Sequence, residues 1–280
     1  MAKPKSPPLE TAATDPGALS GLLDRLAGRR VLVVGDAMLD RTVMGAVDRV
    51  SPEAPIPVLR VDGEEAVPGG AANVARNLAG LGAQALLVAI TGDDPAGSEL
   101  QSLIGGIAGI EPWLAVEPGR ITTQKTRFRA QGQQLLRADR ETVAPLSELA
   151  EARILGAIEQ ALPGCEAVVL SDYAKGVLTP AVIAKAIALA GKRPVMVDPK
   201  GRDYTRYRGA AMITPNRGEL GLAAGAACDS LEGAVDAARG IVRRCGVGAV
   251  LATLSQDGMV LVDAKRALHL PARAREVFDV

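Results

Sequence analysis

Val31-Leu-Val-Val-Gly-Asp-Ala-Met-Leu-Asp40 opens on four consecutive apolar residues and breaks at a glycine into a polar turn. An apolar, β-branched run without alternation suits a strand buried on both faces, as in a parallel sheet covered by helices. The pattern recurs at 85–90, 167–170, 194–197, 211–213 and 249–253. Helical stretches lie between these runs, near 71–81, 95–104, 147–162, 180–190, 217–224 and 231–245. Strand and helix in alternation predict an α/β fold with a mostly parallel sheet and helices on both faces.

Residues 57–67 and 122–139 break the rhythm. Apolar and polar residues alternate there, as in Thr126-Arg-Phe-Arg129 and Leu135-Leu-Arg-Ala-Asp139. That period predicts half-exposed antiparallel strands, a small β appendage over one edge of the main sheet. In open α/β sheets, ligands bind beyond the carboxyl ends of the strands. Residues 35–40, 171–175, 198–200, 216–219 and 253–258 all fall at such ends. Polar clusters gathered on one edge point to a ligand cleft.

Each cluster has a functional and a plainer reading. Asp40 is an acceptor for sugar hydroxyls or an ordinary turn aspartate. Gly69 and Gly70 open a helix with Asn73 one turn in. They let backbone and amide approach a ligand, or they make a tight turn over a buried amide. Lys125, Arg127 and Arg129 share one strand face, and Arg137 follows on the next strand. They suit a phosphorylated substrate or form a solvated face. Asp172 and Lys175, in Ser171-Asp-Tyr-Ala-Lys-Gly176, and Lys200, in Asp198-Pro-Lys-Gly201, are ligand contacts or members of local ion pairs. Asn216-x-x-Glu219 either holds magnesium through waters beside nucleotide phosphates or caps a helix. Thr253-Leu-Ser-Gln-Asp-Gly258 is a hydroxyl-rich turn able to touch a nucleotide.

Composition removes other classes. The formal net charge of the 280 residues is zero, which gives no nucleic-acid footprint. No apolar run is as long as a membrane span, and the first twenty residues lack a signal-peptide core. A disordered leader over 1–18 and a helix from Leu19 to Leu26 are expected, in a cytoplasmic protein. Cys165, Cys228 and Cys245 match no zinc pattern and suggest free thiols in a reducing compartment. A single histidine, His269, excludes Ser-His-Asp and Cys-His machinery. No Walker A sequence and no dinucleotide glycine fingerprint follows a strand.

In this order the motifs resemble those of the ribokinase-like (PfkB-type) sugar kinases, from Arg30 to Val280. The carrying pieces are Gly35-Asp-Ala-Met-Leu-Asp-Arg41, Arg49-Val-Ser-Pro-Glu-Ala-Pro-Ile-Pro-Val58 and Pro68-Gly-Gly-Ala-Ala-Asn-Val-Ala75. Gln133-Gln-Leu-Leu-Arg137, Leu170-Ser-Asp-Tyr-Ala-Lys-Gly176, Val197-Asp-Pro-Lys-Gly201 and Arg206-Tyr-Arg-Gly-Ala210 continue the likeness. Ser-Pro-Glu-Ala-Pro and Ser-Asp-Tyr-Ala-Lys-Gly are similar to members that act on a heptose 7-phosphate.

The resemblance implies a Rossmann-like sheet with a β lid, at about 55–67 and 121–139 of one kinase domain spanning 19–280, and a homodimer formed through the lid. It implies ATP-dependent phosphorylation of D-glycero-β-D-manno-heptose 7-phosphate at the anomeric hydroxyl, with Mg2+, in ADP-heptose and lipopolysaccharide core synthesis. Asp40, Gly69, Gly70 and Asn73 would bind sugar, and Asp172 and Lys200 would line the cleft. Asn216 and Glu219 would serve magnesium and phosphate, and Thr253, Ser255 and Gly258 would lie at ATP. The family's Gly-Ala-Gly-Asp motif, with its catalytic base, is expected just after Val280, so the C-terminal part of the fold is expected to be missing and residues 1–280 alone to be inactive. A kinase for another phosphorylated sugar, and a non-catalytic sugar-phosphate-binding or dimerising module, are the alternative expectations.

Overall fold

The computed structural model describes residues 9–11 and 16–272. In chain order the elements begin with β1 (Leu9–Thr11), α1 (Pro16–Asp24), β2 (Arg30–Gly35), β3 (Ala37–Val50), β4 (Pro57–Gly70) and α2 (Ala71–Gly80). There follow β5 (Gln84–Gly92), α3 (Pro95–Gly105), β6 (Ile110–Glu117), β7 (Gln124–Ala130), β8 (Gln133–Arg140), α4 (Glu148–Ala161) and β9 (Ala167–Ser171). The rest are α5 (Pro180–Ala190), β10 (Val195–Asp198), β11 (Met212–Ile213), α6 (Arg217–Ala224), α7 (Leu231–Cys245), β12 (Ala249–Thr253), β13 (Met259–Asp263) and β14 (Ala267–Leu270).

Ten strands form one sheet in the order β1-β14-β13-β12-β11-β10-β9-β2-β5-β6. Its pairs are parallel except those of β13, which runs antiparallel to β12 and β14. Successive side chains of a strand point to opposite faces, and β2 shows what that does here. Leu32 and Val34 enter a core shared with Ile154 and Ile158 of α4 and Val182 and Ile183 of α5. Val31 and Val33 enter a second core with Ala71, Ala75, Leu100 and Ile104 from α2 and α3. The unalternating apolar run therefore reports burial on both faces. Helix starts are set by side-chain caps: Asp94 accepts from the Gly97 N–H, Ser147 from Ala150, Thr179 from Val182 and Ser230 from Gly233.

The second sheet has the order β4-β3-β7-β8. It grows from the carboxyl end of β2, since only Asp36 separates β2 from β3. β4 then returns antiparallel along β3 and ends at Gly70, where α2 begins. This lid differs from expectation in three ways. Residues 35–40, read as a strand end and turn, run into a long strand over Ala37–Val50, whose pairing with β4 is irregular at Met44/Gly45 and Val47/Arg49. Asp40 thus lies in a strand and not in a turn. The β3–β7 pairing is parallel, and only β3–β4 and β7–β8 are antiparallel.

β1, β6, β13 and β14 add four strands that the apolar runs did not announce. Of the leader expected over 1–18, residues 1–8 and 12–15 lie outside the described residues; Leu9–Thr11 pairs with β14, and α1 starts at Pro16 rather than Leu19. Among the described residues, no helix is long and apolar enough to cross a membrane.

Candidate active site

The floor of the cleft is built where β2, β3 and β4 meet α2. Gly69 is a necessity of contact: a Cβ there would run into the Asp40 carboxylate, with Met38 Cγ at 3.0 Å. Gly70 has φ +58°, the left-handed region that favours glycine, and a Cβ would collide with the Asp36 carbonyl. The pair brings backbone against Asp40 and opens α2 with no side-chain cap of its own. Asn73 stands in the first turn, where its Oδ1 accepts from Arg76 Nη2 at 2.8 Å.

The lid supplies cations to the same place. Lys125 and Asp40 are in register on β7 and β3, and the Lys125 ammonium lies 5.7 Å from the centroid of the Tyr173 ring. Arg127 Nη1 donates to Asp40 Oδ1 at 2.8 Å. Arg129, two residues farther along the same face of β7, donates to the Gly132 carbonyl at the hairpin turn and not to Asp40. Arg137 sits on β8, which is exposed along its whole length, and pairs with Asp139 through both carboxylate oxygens at 2.9 and 3.1 Å.

Residues 171–176 leave β9 beside this floor. Asp172 is buried, accepting from the Tyr207 hydroxyl at 2.6 Å and the Ala174 N–H at 2.8 Å, with Arg206 3.8 Å away. Burial and the neighbouring Asp172 push the Tyr207 hydroxyl pKa well above its ordinary value, so it stays a donor. Lys175 Nζ pairs with Glu141 at 2.7 Å, and Lys200 Nζ with Glu219 at 2.7 Å. Both lysines read as ligand contacts in the sequence are ion-paired here, with carboxylates 34 and 19 positions away and not with the aspartates of their own motifs.

Farther along the edge, both halves of the capping box are present: Glu219 N–H donates to Asn216 Oδ1 at 2.9 Å, and Asn216 N–H to Glu219 Oε2 at 3.0 Å. The structural alternative for this motif therefore exists alongside any ligand role. Asn216 bridges to Thr253, which brings the end of β12 beside it. Ser255 has φ +52° and Gly258 φ +83° in the turn that follows, with Gly258 packed against the backbone of Leu270. Asp198, at the end of β10, has its carboxyl pushed up to about 6 by burial and then by Glu219, with Lys200 opposing.

No cluster of three or more His, Cys, Asp or Glu suited to a metal occurs among the described residues. A carboxyl held up by burial beside a second carboxylate is nonetheless a place a divalent cation relieves, and magnesium needs few protein ligands when phosphates and waters supply the rest. Asp36, Arg120, Arg206 and Tyr207 were not singled out as site residues in the sequence, although all four hold the cleft loops. The contacts by which they hold the loops run to residues 24 to 141 positions away, which the motifs around Asp36 and Arg206-Tyr207 do not reveal.

Fold and cleft together define a class: the chain belongs to the pfkB family of carbohydrate kinases, whose family model matches residues 29–280. Among curated relatives, it is 54% identical over 270 residues to the bifunctional protein HldE of Paramagnetospirillum magneticum, covering 95% of this chain and 55% of that protein. It is 51% identical over 266 residues to the bifunctional protein HldE of Rhodospirillum rubrum, covering 94% and 54%. The chain spans about half the length of these relatives. Among solved structures, Escherichia coli phosphofructokinase-2 in complex with fructose-6-phosphate superposes with a TM-score of 0.68 at 20% identity, covering 90% of this chain and 82% of that one. At that identity the likeness is one of fold.

Proposed function

We propose that the protein transfers a phosphoryl group from ATP to the anomeric hydroxyl of D-glycero-β-D-manno-heptose 7-phosphate, giving the 1,7-bisphosphate. The observation that carries the reading is the convergence on Asp40. A carboxylate, the glycine pair, of which Gly69 lies against Asp40, and two lid cations meet beyond the carboxyl end of β2. Anion and cation side by side suit a ligand that has both hydroxyls and a phosphate. Extensive identity to the HldE proteins supports the choice of sugar.

In this reading Asp40 accepts sugar hydroxyls, Gly69 and Gly70 admit the ring, and Asn73 offers an amide. Lys125 and Arg127 take the 7-phosphate; Lys175 and Arg137 lie farther out, each with a carboxylate partner. Asp172 and Lys200 hold the wall between sugar and nucleotide. Asn216, Thr253, Ser255 and Gly258 face the nucleotide, and Asn216 and Glu219 position magnesium through water. ATP supplies the phosphoryl group, and magnesium screens its charge. The role of general base is assigned to none of the described residues. A second copy of the chain is assigned to the lid, where Leu136, Val61 and Met44 are exposed.

A coupled ADP-release assay tests this. Turnover with heptose 7-phosphate should far exceed that with ribose or fructose 6-phosphate. Equal turnover of the three refutes the substrate.

A further inference from the structure

Asp36 is only 1% exposed and has no part in the reading above. Its Oδ2 accepts the N–H groups of Tyr173 at 2.9 Å and Lys175 at 3.1 Å, and its Oδ1 accepts that of Val177 at 3.0 Å. Its own N–H donates to the Ser171 carbonyl at 3.2 Å, and its carbonyl takes the Ala71 N–H, the first of α2, at 3.0 Å. One residue thus joins the end of β2, the loop after β9 and the start of α2. Alternate N–H groups turned onto one anion form a nest, which fixes the path of a loop that has no regular structure. Ala174 sits inside this loop at φ +56°, a conformation the loop must hold against strain.

The loop is held from its other side by Arg120, which donates to the Lys175 carbonyl at 3.0 Å and to the Ala144 and Pro145 carbonyls at 3.0 and 3.2 Å. The fixed loop then meets the lid twice. The Tyr173 ring lies under the Lys125 ammonium, and Lys175 pairs with Glu141 just past β8. Both Asp36 oxygens accept from the loop, and the side chain is buried.

We infer that Asp36 is a positioning residue: through the loop at 172–177 it sets the Tyr173 ring under Lys125 and Lys175 against Glu141, and with them the affinity for the phosphorylated sugar. The inference rests on the sugar site proposed above. An amide at position 36 would place an NH2 group against N–H donors whichever way it turned, because both oxygens now accept.

The test is Asp36→Asn, with Asp36→Ser as a second variant, in the full protein. Amide hydrogen exchange is read at 172–177, and KM is measured separately for heptose 7-phosphate and for ATP. Exchange at Tyr173, Lys175 and Val177 should rise at least tenfold, with β2 and β9 still protected. The sugar-phosphate KM should rise at least tenfold and the ATP KM stay within twofold. Unchanged exchange, a parallel rise of both KM values, or failure of both variants to fold would overturn the positioning role. If the wild-type protein turns over no sugar phosphate, the functional reading fails, and the exchange measurement alone decides whether the clamp holds the loop.

Discussion

Replacing Gly69 with alanine separates binding from folding. Gly69 is not among the positive-φ glycines, so alanine meets no backbone penalty there. The added Cβ meets the end of the Asp40 side chain, which can swing away, and Met38 Cγ at 3.0 Å, which must yield by a few tenths of an ångström. Overpacking of this kind costs about 1–3 kcal/mol. Reduced freedom of the unfolded chain returns about 0.4–1 kcal/mol. A net loss of about 1 kcal/mol lowers Tm by about 2–4 °C in a chain of this size. The swing of Asp40 also breaks its pair with Arg127 and withdraws the sugar acceptor. A lost charge-assisted hydrogen bond is worth about 1.5–3 kcal/mol, which is about ten- to a hundred-fold in KM. The assay is steady-state ADP release against heptose 7-phosphate, with a melting curve on the same sample. A sugar KM within twofold of wild type would show that Asp40 does not hold the sugar.

Lys125→Met and Arg127→Met should each raise the KM for heptose 7-phosphate by about ten- to a hundred-fold; unchanged values in both would move the phosphate to Lys175 or Lys200. Asp198 holds its proton more tightly folded than unfolded, its carboxyl raised to about 6, so this group costs stability as pH rises from about 4 through 6. Asp198→Asn should therefore gain melting temperature relative to wild type across that window and hold the gain above it; a pH-independent difference would contradict the raised carboxyl. Tyr207→Phe deletes the 2.6 Å donor to buried Asp172 and should cost about 1–3 kcal/mol in urea unfolding; a loss under 0.5 kcal/mol would mean that the Asp172 carboxylate is satisfied without it.

The main sheet was legible because burial on both faces leaves a local trace. Val31-Leu-Val-Val34 carries no polar residue, and the structure puts it inside the sheet, between β9 and β5. Helices α5, α6 and α7 match the spans 180–190, 217–224 and 231–245 read from their periodicity. The strands at the sheet's far edge were not legible. β1 is three residues long and β14 four, too short for a period to declare itself. β3 was hidden in part because Asp48 is an extra residue opposite β4 and reverses the alternation after Val47; at the other irregularity the extra residue, Asp62, lies on β4.

The residue types at the cleft and their local setting were properties of the sequence alone: Asp40, Asp172, Lys200 and the Asn216-x-x-Glu219 pair each follow an apolar run, and the glycine pair with Asn73 opens a helix. Which charges face which was decided only by the tertiary structure. Lys175 finds Glu141 34 positions away, Lys200 finds Glu219 19 away, and Arg127 finds Asp40 87 away. Asp36 closes on backbone 137 to 141 positions distant. A carboxylate's partner is fixed by distance and desolvation in the folded chain, and neither is encoded in the spacing of neighbours along it.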